Sequence, residues 1–340
     1  MGWPDAGDLL AGPRGRRLCW SLLDLDAYPG WLGVWAGAQA GDLTSLLGEL
    51  ADCVARTDLD ATVTRASELV LLAVLAEPVG RAAYWQEPDD VDRALTDPRA
   101  RDVLRPVAEA VAGAPAAQWW ASPLAPDCQQ YAEWIDEHDF SPRLAGAAAE
   151  LAAWQAATAR DEQSARDRPD DPAAPWTGHW WSAPLLSRLP STTRSVPGLG
   201  AVRLALVEDS LGWREARCWP VAVRSGARVY EITGPRQWTD LVRRYPLDAS
   251  RSRRHDWWRV TGWAGPWLIP DFAAAARDYD AVHLSAAAYL TTAGRALAMG
   301  GARTMLAGWD PDQTYWLTDV LTLAGPAVTW TKTDEGWIPA

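Results

Sequence analysis

The sequence predicts two domains, an all-α amino-terminal half followed by an α+β half built on an antiparallel or mixed sheet. Three observations carry that prediction. Apolar residues recur at helical spacing through the first 160 positions. A charged, proline-rich stretch, DEQSARDRPDDPAAP, then runs from 161 to 175 without a Leu, Val or Ile. From residue 176 onward the apolar residues fall into short runs bounded by Gly, Pro or Asp, the pattern of strands. The expected boundaries are a helical domain at 1–160, a linker at 161–175 and a Trp-rich ligand or catalytic domain at 176–340.

The helices follow in order. In DLTSLLGELADCVART, Leu43, Leu46, Leu47, Leu50, Cys53 and Val54 share one face, and Asp42 is the expected N-cap. DATVTRASELVLLAVLAEP repeats the period with Val63, Ala66, Leu69, Val70 and Val74, and Pro78 marks its end. DPRARDVLRPVAEAVAG is a third helix, which Pro106 should kink or split. SPRLAGAAAELAAWQAATAR is a fourth, with Ser141 as cap and Pro142 at its first position. The expected strands are 201–208, 219–223, 227–232, 280–285 and 314–320. Two helices lie among them, one from Pro235 with Trp238, Leu241, Val242 and Tyr245 on its buried face, and one from Pro270.

Composition narrows the function classes. A net charge of −12 argues against broad binding of nucleic acid or anionic membrane. Only Lys332 among the 32 basic residues is a lysine, a codon-supply bias that makes arginine by itself weak support for phosphate recognition. Cys19, Cys53, Cys128 and Cys218 lack metal-type spacing and read as reduced thiols. The start MGWPDAGDLL lacks the pattern of a secretory signal, and the run LVLLAVLA is too short to span a bilayer, so a cytoplasmic protein is expected. The 23 tryptophans exceed what codon bias explains. Adjacent pairs, Trp119-Trp120, Trp180-Trp181 and Trp257-Trp258, cannot point both rings the same way on a strand. The near-copies AQWWASPLAPDC and GHWWSAPLLSRLPS place two of these pairs at the expected seam between the domains.

No Ser-His-Asp order, His-Glu-x-x-His or P-loop is present. Three segments can nevertheless carry chemistry. Thr192, Thr193 and Arg194 form a hydroxyl-and-guanidinium loop able to fork onto a phosphate or carboxylate, with a plain solvated loop as the competing reading. Glu231 in ARVYEI enters a strand face it shares with Val229, where a carboxylate must pair, reach water or titrate high. His283 in DYDAVHLS lies within a strand near Asp280, as an acid–base group or as a satisfied structural histidine. Asp310 and Asp312 suit a turn, and a carboxylate–histidine metal site at Glu231, His283 and Asp310 stays open. The arginines of RRYPLDASRSRRHDWWR, beside Trp257 and Trp258, either hold a nucleotide or pair with local aspartates.

The stretches WWSAPLLSRLPSTTRSVPGLG, EDSLGWREARCWPV, ARVYEITGPRQWTDLVRRYPLD, YDAVHLSAAAYLTTAGRAL and LAGWDPDQTYWLTD resemble a group of high-GC Gram-positive bacterial proteins that brings no activity with it. The order of pieces in 176–320 is also distantly similar to an ADP-ribosyltransferase-type domain. That resemblance implies NAD held in a cleft, with His179 or Arg194 as the first contact, Thr192 or Thr193 as platform and Glu231 on the nicotinamide ribose. Trp180 and Trp213 would supply further cofactor contacts. Two functions are therefore expected: an NAD- or nucleotide-utilising enzyme with Glu231, His283 and Arg194 as catalytic residues, or a non-catalytic module whose Trp-rich cleft binds a partner protein, peptide or sugar.

Overall fold

The computed structural model describes residues 3–27, 43–135, 142–185, 188–334 and 336–340. Helices α1 (Ala6–Ala11), α2 (Pro13–Ala27), α3 (Leu43–Arg56), α4 (Glu68–Gly80), α5 (Asp90–Ala94) and α6 (Pro98–Gly113) come first. They are followed by β1 (Gln129–Trp134), α7 (Ala147–Ser164), β2 (Ser191–Val196), β3 (Gly200–Ala201), β4 (Glu215–Val223) and β5 (Val229–Ile232). Next come α8 (Pro235–Arg244), β6 (Pro246–Asp248), α9 (Arg254–Thr261), β7 (Leu268–Pro270), α10 (Phe272–Ala275), β8 (Ala281–Leu284) and α11 (Ala286–Thr292). The chain closes with β9 (Leu297–Met299), β10 (Ala302–Thr304), β11 (Thr314–Trp316), β12 (Leu321–Leu323), β13 (Val328–Thr333) and β14 (Gly336–Pro339). The composition is α+β.

The main sheet runs β14-β13-β4-β1-β2-β11-β8-β5, with β12 beside β4 and β3 beside β2. Its pairings are antiparallel except β5 with β8, which are parallel. Strand β1 lies within the first 160 residues, so that half is not all-α, and it pairs on one side with β4 and on the other with β2. A division into two domains is not visible, because one cluster of buried side chains runs from Leu9 through Trp120 and Trp238 to Leu317. Close approach of α11 to the first helices requires Gly12, where a β-carbon would fall 2.0 Å from the Leu290 carbonyl oxygen.

Several local expectations hold. Leu46, Leu47, Leu50 and Cys53 of α3 are buried, as are Trp238, Leu241 and Val242 of α8. The Asp42 and Ser141 caps fall outside the described residues. The expected second helix is broken. A π-turn spans Asp60–Thr64, and α4 restarts at Ser67, whose Oγ accepts from Val70 N at 3.3 Å. The restart shifts the phase, so Leu71, Leu72, Val74 and Leu75 face inward while Leu69 and Val70 are exposed. Pro78 is carried inside α4 and Pro106 inside α6, which is continuous from Pro98 to Gly113.

Helix α7 starts at Ala147, not at Pro142. Its first amides are capped from across the fold, with Asp319 accepting from Gly146 N at 3.0 Å and Ala147 N at 2.9 Å. The expected linker is pinned in place. Asp161 pairs with Arg168 and Arg253, and Glu162 accepts the amides of Arg251 and Ser252. The arginines of the 243–259 cluster are likewise engaged, Arg243 with Asp240, Arg244 with Asp278, Arg254 with Asp170 and Arg259 with Asp256. Of the nearby aspartates, Asp256 takes Arg259, whereas Arg244 and Arg254 pair with Asp278 and Asp170 from distant segments.

The expected strand 201–208 keeps only Ala201 in a strand and then turns through a 3-10 segment at Val202–Leu204, and the strand is instead the Thr192–Arg194 stretch read as a loop. Its hydroxyls concealed the pattern, because they are satisfied inside the sheet. No helix among the described residues is long and apolar enough to cross a membrane. Because Asp319 supplies a distant N-cap to α7, Asp319→Ala should lower stability by about 1 kcal/mol. Urea denaturation checks this, and an unchanged midpoint would show that the helix start does not depend on the carboxylate.

Candidate functional site

Strand pairing sets Glu231 of β5 opposite His283 of β8, His283 opposite Thr314 of β11, and Thr314 opposite Thr192 of β2. Paired residues project to the same side of a sheet, so these four form one polar row across it. At the sheet's edge, His283 Nδ1 donates to Glu231 Oε2 at 2.6 Å. On the other side of the ring, His283 Nε2 lies 3.5 Å from Asp312 Oδ1, a charge contact without hydrogen-bond geometry. Asp312 accepts from Arg194 twice, from Nε at 2.7 Å and from the backbone N at 2.9 Å. It sits at φ 59°, a left-handed conformation that Asp tolerates better than most residues. Arg194, Asp312, His283 and Glu231 are thus one continuous string of alternating charge.

The string is enclosed except at Glu231, whose side chain is 20% exposed. His283 is 0% exposed, Asp312 1% and Arg194 8%. Its cover is the segment after the first Trp pair. The Arg194 guanidinium lies over the Trp119 ring at 4.4 Å and donates to the Pro123 carbonyl, while Leu124 N donates to Glu231 Oε1 at 3.0 Å. Burial alone would lower the His283 pKa, but the carboxylates of Asp312 and Glu231 outweigh it and push it up to about 9. Burial would raise Asp312, and His283 and Arg194 hold it below the usual carboxylate range.

The structure therefore brings Arg194, Glu231 and His283 together, with Thr192 next in the row. Thr192 is engaged by Gln129 and by Trp316 Nε1. Thr193 accepts from Arg203 N at 3.2 Å. His179 is bound to Asp161 at 2.9 Å and lies against Trp181. Trp180 packs near Tyr84 and accepts, through its carbonyl, from Trp257 Nε1. Trp213 stacks on Trp134 at 5.0 Å in a separate cavity of about 340 Å³ lined also by Glu133, Arg143, Arg188 and Arg203. Asp310 does not join Glu231 and His283. It pairs with Arg203 and accepts Glu208 N, and no metal-binding group of three or more His, Cys, Asp or Glu occurs among the described residues.

Sequence reasoning missed the central role of Asp312, which reads as a turn residue. The signal was the run WDPDQTYW, polar residues in a turn flanked by large apolar ones. Glu208 was missed as well. It is buried, accepts from Gly308 N at 2.6 Å, and is pushed up to about 8, chiefly by burial. Comparisons with protein-family models, with curated proteins and with solved structures find no match for this chain.

The folded pKa of His283, about 9, lies above the ordinary histidine value of 6.5. Its ion pairs therefore contribute fully below pH about 6.5, and that contribution is lost as pH rises through about 9. The stability difference between wild type and His283→Gln should shrink steadily across this window in urea titrations. A difference independent of pH from 6 to 10 would show that the imidazole is neutral throughout.

Proposed function

We propose that this chain takes a nucleotide of the NAD class at the sheet edge and cleaves it at the anomeric carbon, with Glu231 as the carboxylate facing the reacting centre. The observation that supports this reading is the meeting of Glu231, His283 and Arg194, from three separate strands, in one charged string. Glu231 is held in place by His283 and by Leu124 N, and a carboxylate stabilises the positive charge that develops on a ribose carbon as its base departs. The C–N bond breaks with its electron pair leaving on nicotinamide, water adds its oxygen to the same carbon, and a proton is released. Arg194 is suited to a phosphate of the same molecule.

The segment over the string supports the ligand class. It presents an aromatic ring to Arg194 and an N–H to Glu231, the two contacts that a flat base and a ribose hydroxyl would make. Access then requires Trp119–Leu124 to withdraw. A second reading is favoured by the enclosure itself: the string is a polar clasp that fastens this segment to the sheet, and the protein is a non-catalytic binding module. Incubation with NAD and measurement of free nicotinamide separates the two. The enzyme reading expects turnover that falls at least about a hundredfold in Glu231→Gln, in line with losing a charge-stabilising group. Absence of turnover in wild type and in Trp119→Ala, with both proteins folded, would leave the clasp.

A further inference from the structure

A cavity of about 700 Å³ lies where the first helices meet the region around α9 and α11, and it shares no lining residue with the Arg194–Glu231 string. Its walls include Arg14, Arg16, Arg101, Arg295 and Arg303, with Tyr84 and Trp85 beside them. They also include the carboxylates of Asp209 and of Glu87, Asp89 and Asp92, the last three paired with Arg93, Arg17 and Arg14. Two of the neighbouring arginines are neutralised in the ordinary way. Arg14 pairs with Asp92, and Arg17 with Asp89 and Glu77. Arg16, Arg101 and Arg295 differ. None has a carboxylate within ion-pair distance among the described residues.

Arg16 is the telling member. It is 5% exposed, and among the described residues its guanidinium reaches only the carbonyls of Leu10 and Ala11 and its Nε has no hydrogen-bond partner. Arg295 likewise donates to a carbonyl, that of Thr291. Burial and then the charge of Arg101 lower both Arg16, to about 10, and Arg295. Asp92 and Asp8 act on these two only from beyond contact. Three like charges gathered around one hollow, with a buried donor left unused, are unfavourable in isolation. Each would be stabilised by a shared anion.

We propose that this cavity is a binding site for a small phosphorylated molecule, its phosphate among Arg16, Arg101 and Arg295 and its remainder against Tyr84 and Trp85. A phosphate monoester fits better than a carboxylate because it carries nearly two charges and three acceptor oxygens, which suit several planar donors at once. The volume exceeds what a bare phosphate occupies, and the Tyr84 and Trp85 faces suit a flat or apolar group. Arginine abundance follows from composition, but it does not explain three arginines on one cavity wall left outside ion-pair contact with the carboxylates that share that cavity.

Thermal unfolding of the full chain with inorganic phosphate, pyrophosphate, AMP, adenosine and acetate tests this. AMP and pyrophosphate should raise the midpoint in proportion to the logarithm of concentration, and adenosine and acetate should not. Arg101→Gln and Arg295→Gln should each weaken AMP binding about tenfold or more. Because Arg101 is exposed on a helix, its replacement should leave the unliganded midpoint equal or higher, as relief of like charge predicts. Arg101 and Arg295 lie outside the Arg194–Glu231 string, so an AMP shift that their replacement abolishes belongs to this cavity, and failure of NAD turnover has no bearing on it. No shift with any phosphate, or an equal shift in the doubly substituted protein, would overturn the proposal. A shift with inorganic phosphate equal to that with AMP would overturn the organic remainder.

Discussion

The constraint on which the rest of the structure depends is the insertion of β1 into the sheet. Its residues pair with β4 along Gln130–Trp134 and with β2 along Gln129–Tyr131, so both of its edges are satisfied by strands from the second half of the chain. A central strand cannot leave without orphaning buried amides and carbonyls on both sides. The helices that precede it are therefore held against the sheet. The Pro115–Cys128 lead-in must cross the sheet's end, and this brings Trp119 to Arg194 and Leu124 to Glu231. The same tie closes the hollow between the first helices and α11, with Gly12 admitting the Leu290 backbone.

Several buried charges in this fold follow one rule. Removing an ion from water costs several kcal/mol unless a partner and hydrogen bonds replace the solvent. Arg194 has Asp312, Arg253 has Asp161, Arg203 has Asp310 and Arg14 has Asp92. These pairs tie distant segments together, and most bridge residues far apart in sequence. The trio around Arg16 breaks the rule at a cavity rather than in solid core. A departure of this kind is informative because carbonyl oxygens and the distant charges of Asp92 and Asp8 are what offset it, with no carboxylate in contact.

Legibility in the sequence was uneven for physical reasons. Helix α8 was readable because it buries Trp238, Leu241 and Val242 at helical spacing, and strands β5 and β8 because they are short runs of strand-forming residues. Strand β2 was not, since its Thr192, Thr193 and Arg194 are buried polar groups whose partners, Gln129, Trp316, Arg203 and Asp312, come from other segments. The phase of α4 was lost at Ser67, where a local cap restarts the helix and the apolar run around it is nearly continuous. The start of α7 was misplaced because its cap is Asp319, far along the chain.

For the site, the sequence by itself determined that Glu231 and His283 lie on strands and that Arg194 sits beside hydroxyls, because alternation and residue type are local properties. Only the tertiary structure decided that these groups meet, that Asp312 joins them and that Trp119 covers them. It alone, too, decided which arginines of an arginine-rich chain lack a carboxylate. Register between strands and pairing between charges are set by contacts across the whole fold, and no local pattern encodes which distant residue will stand within hydrogen-bonding reach.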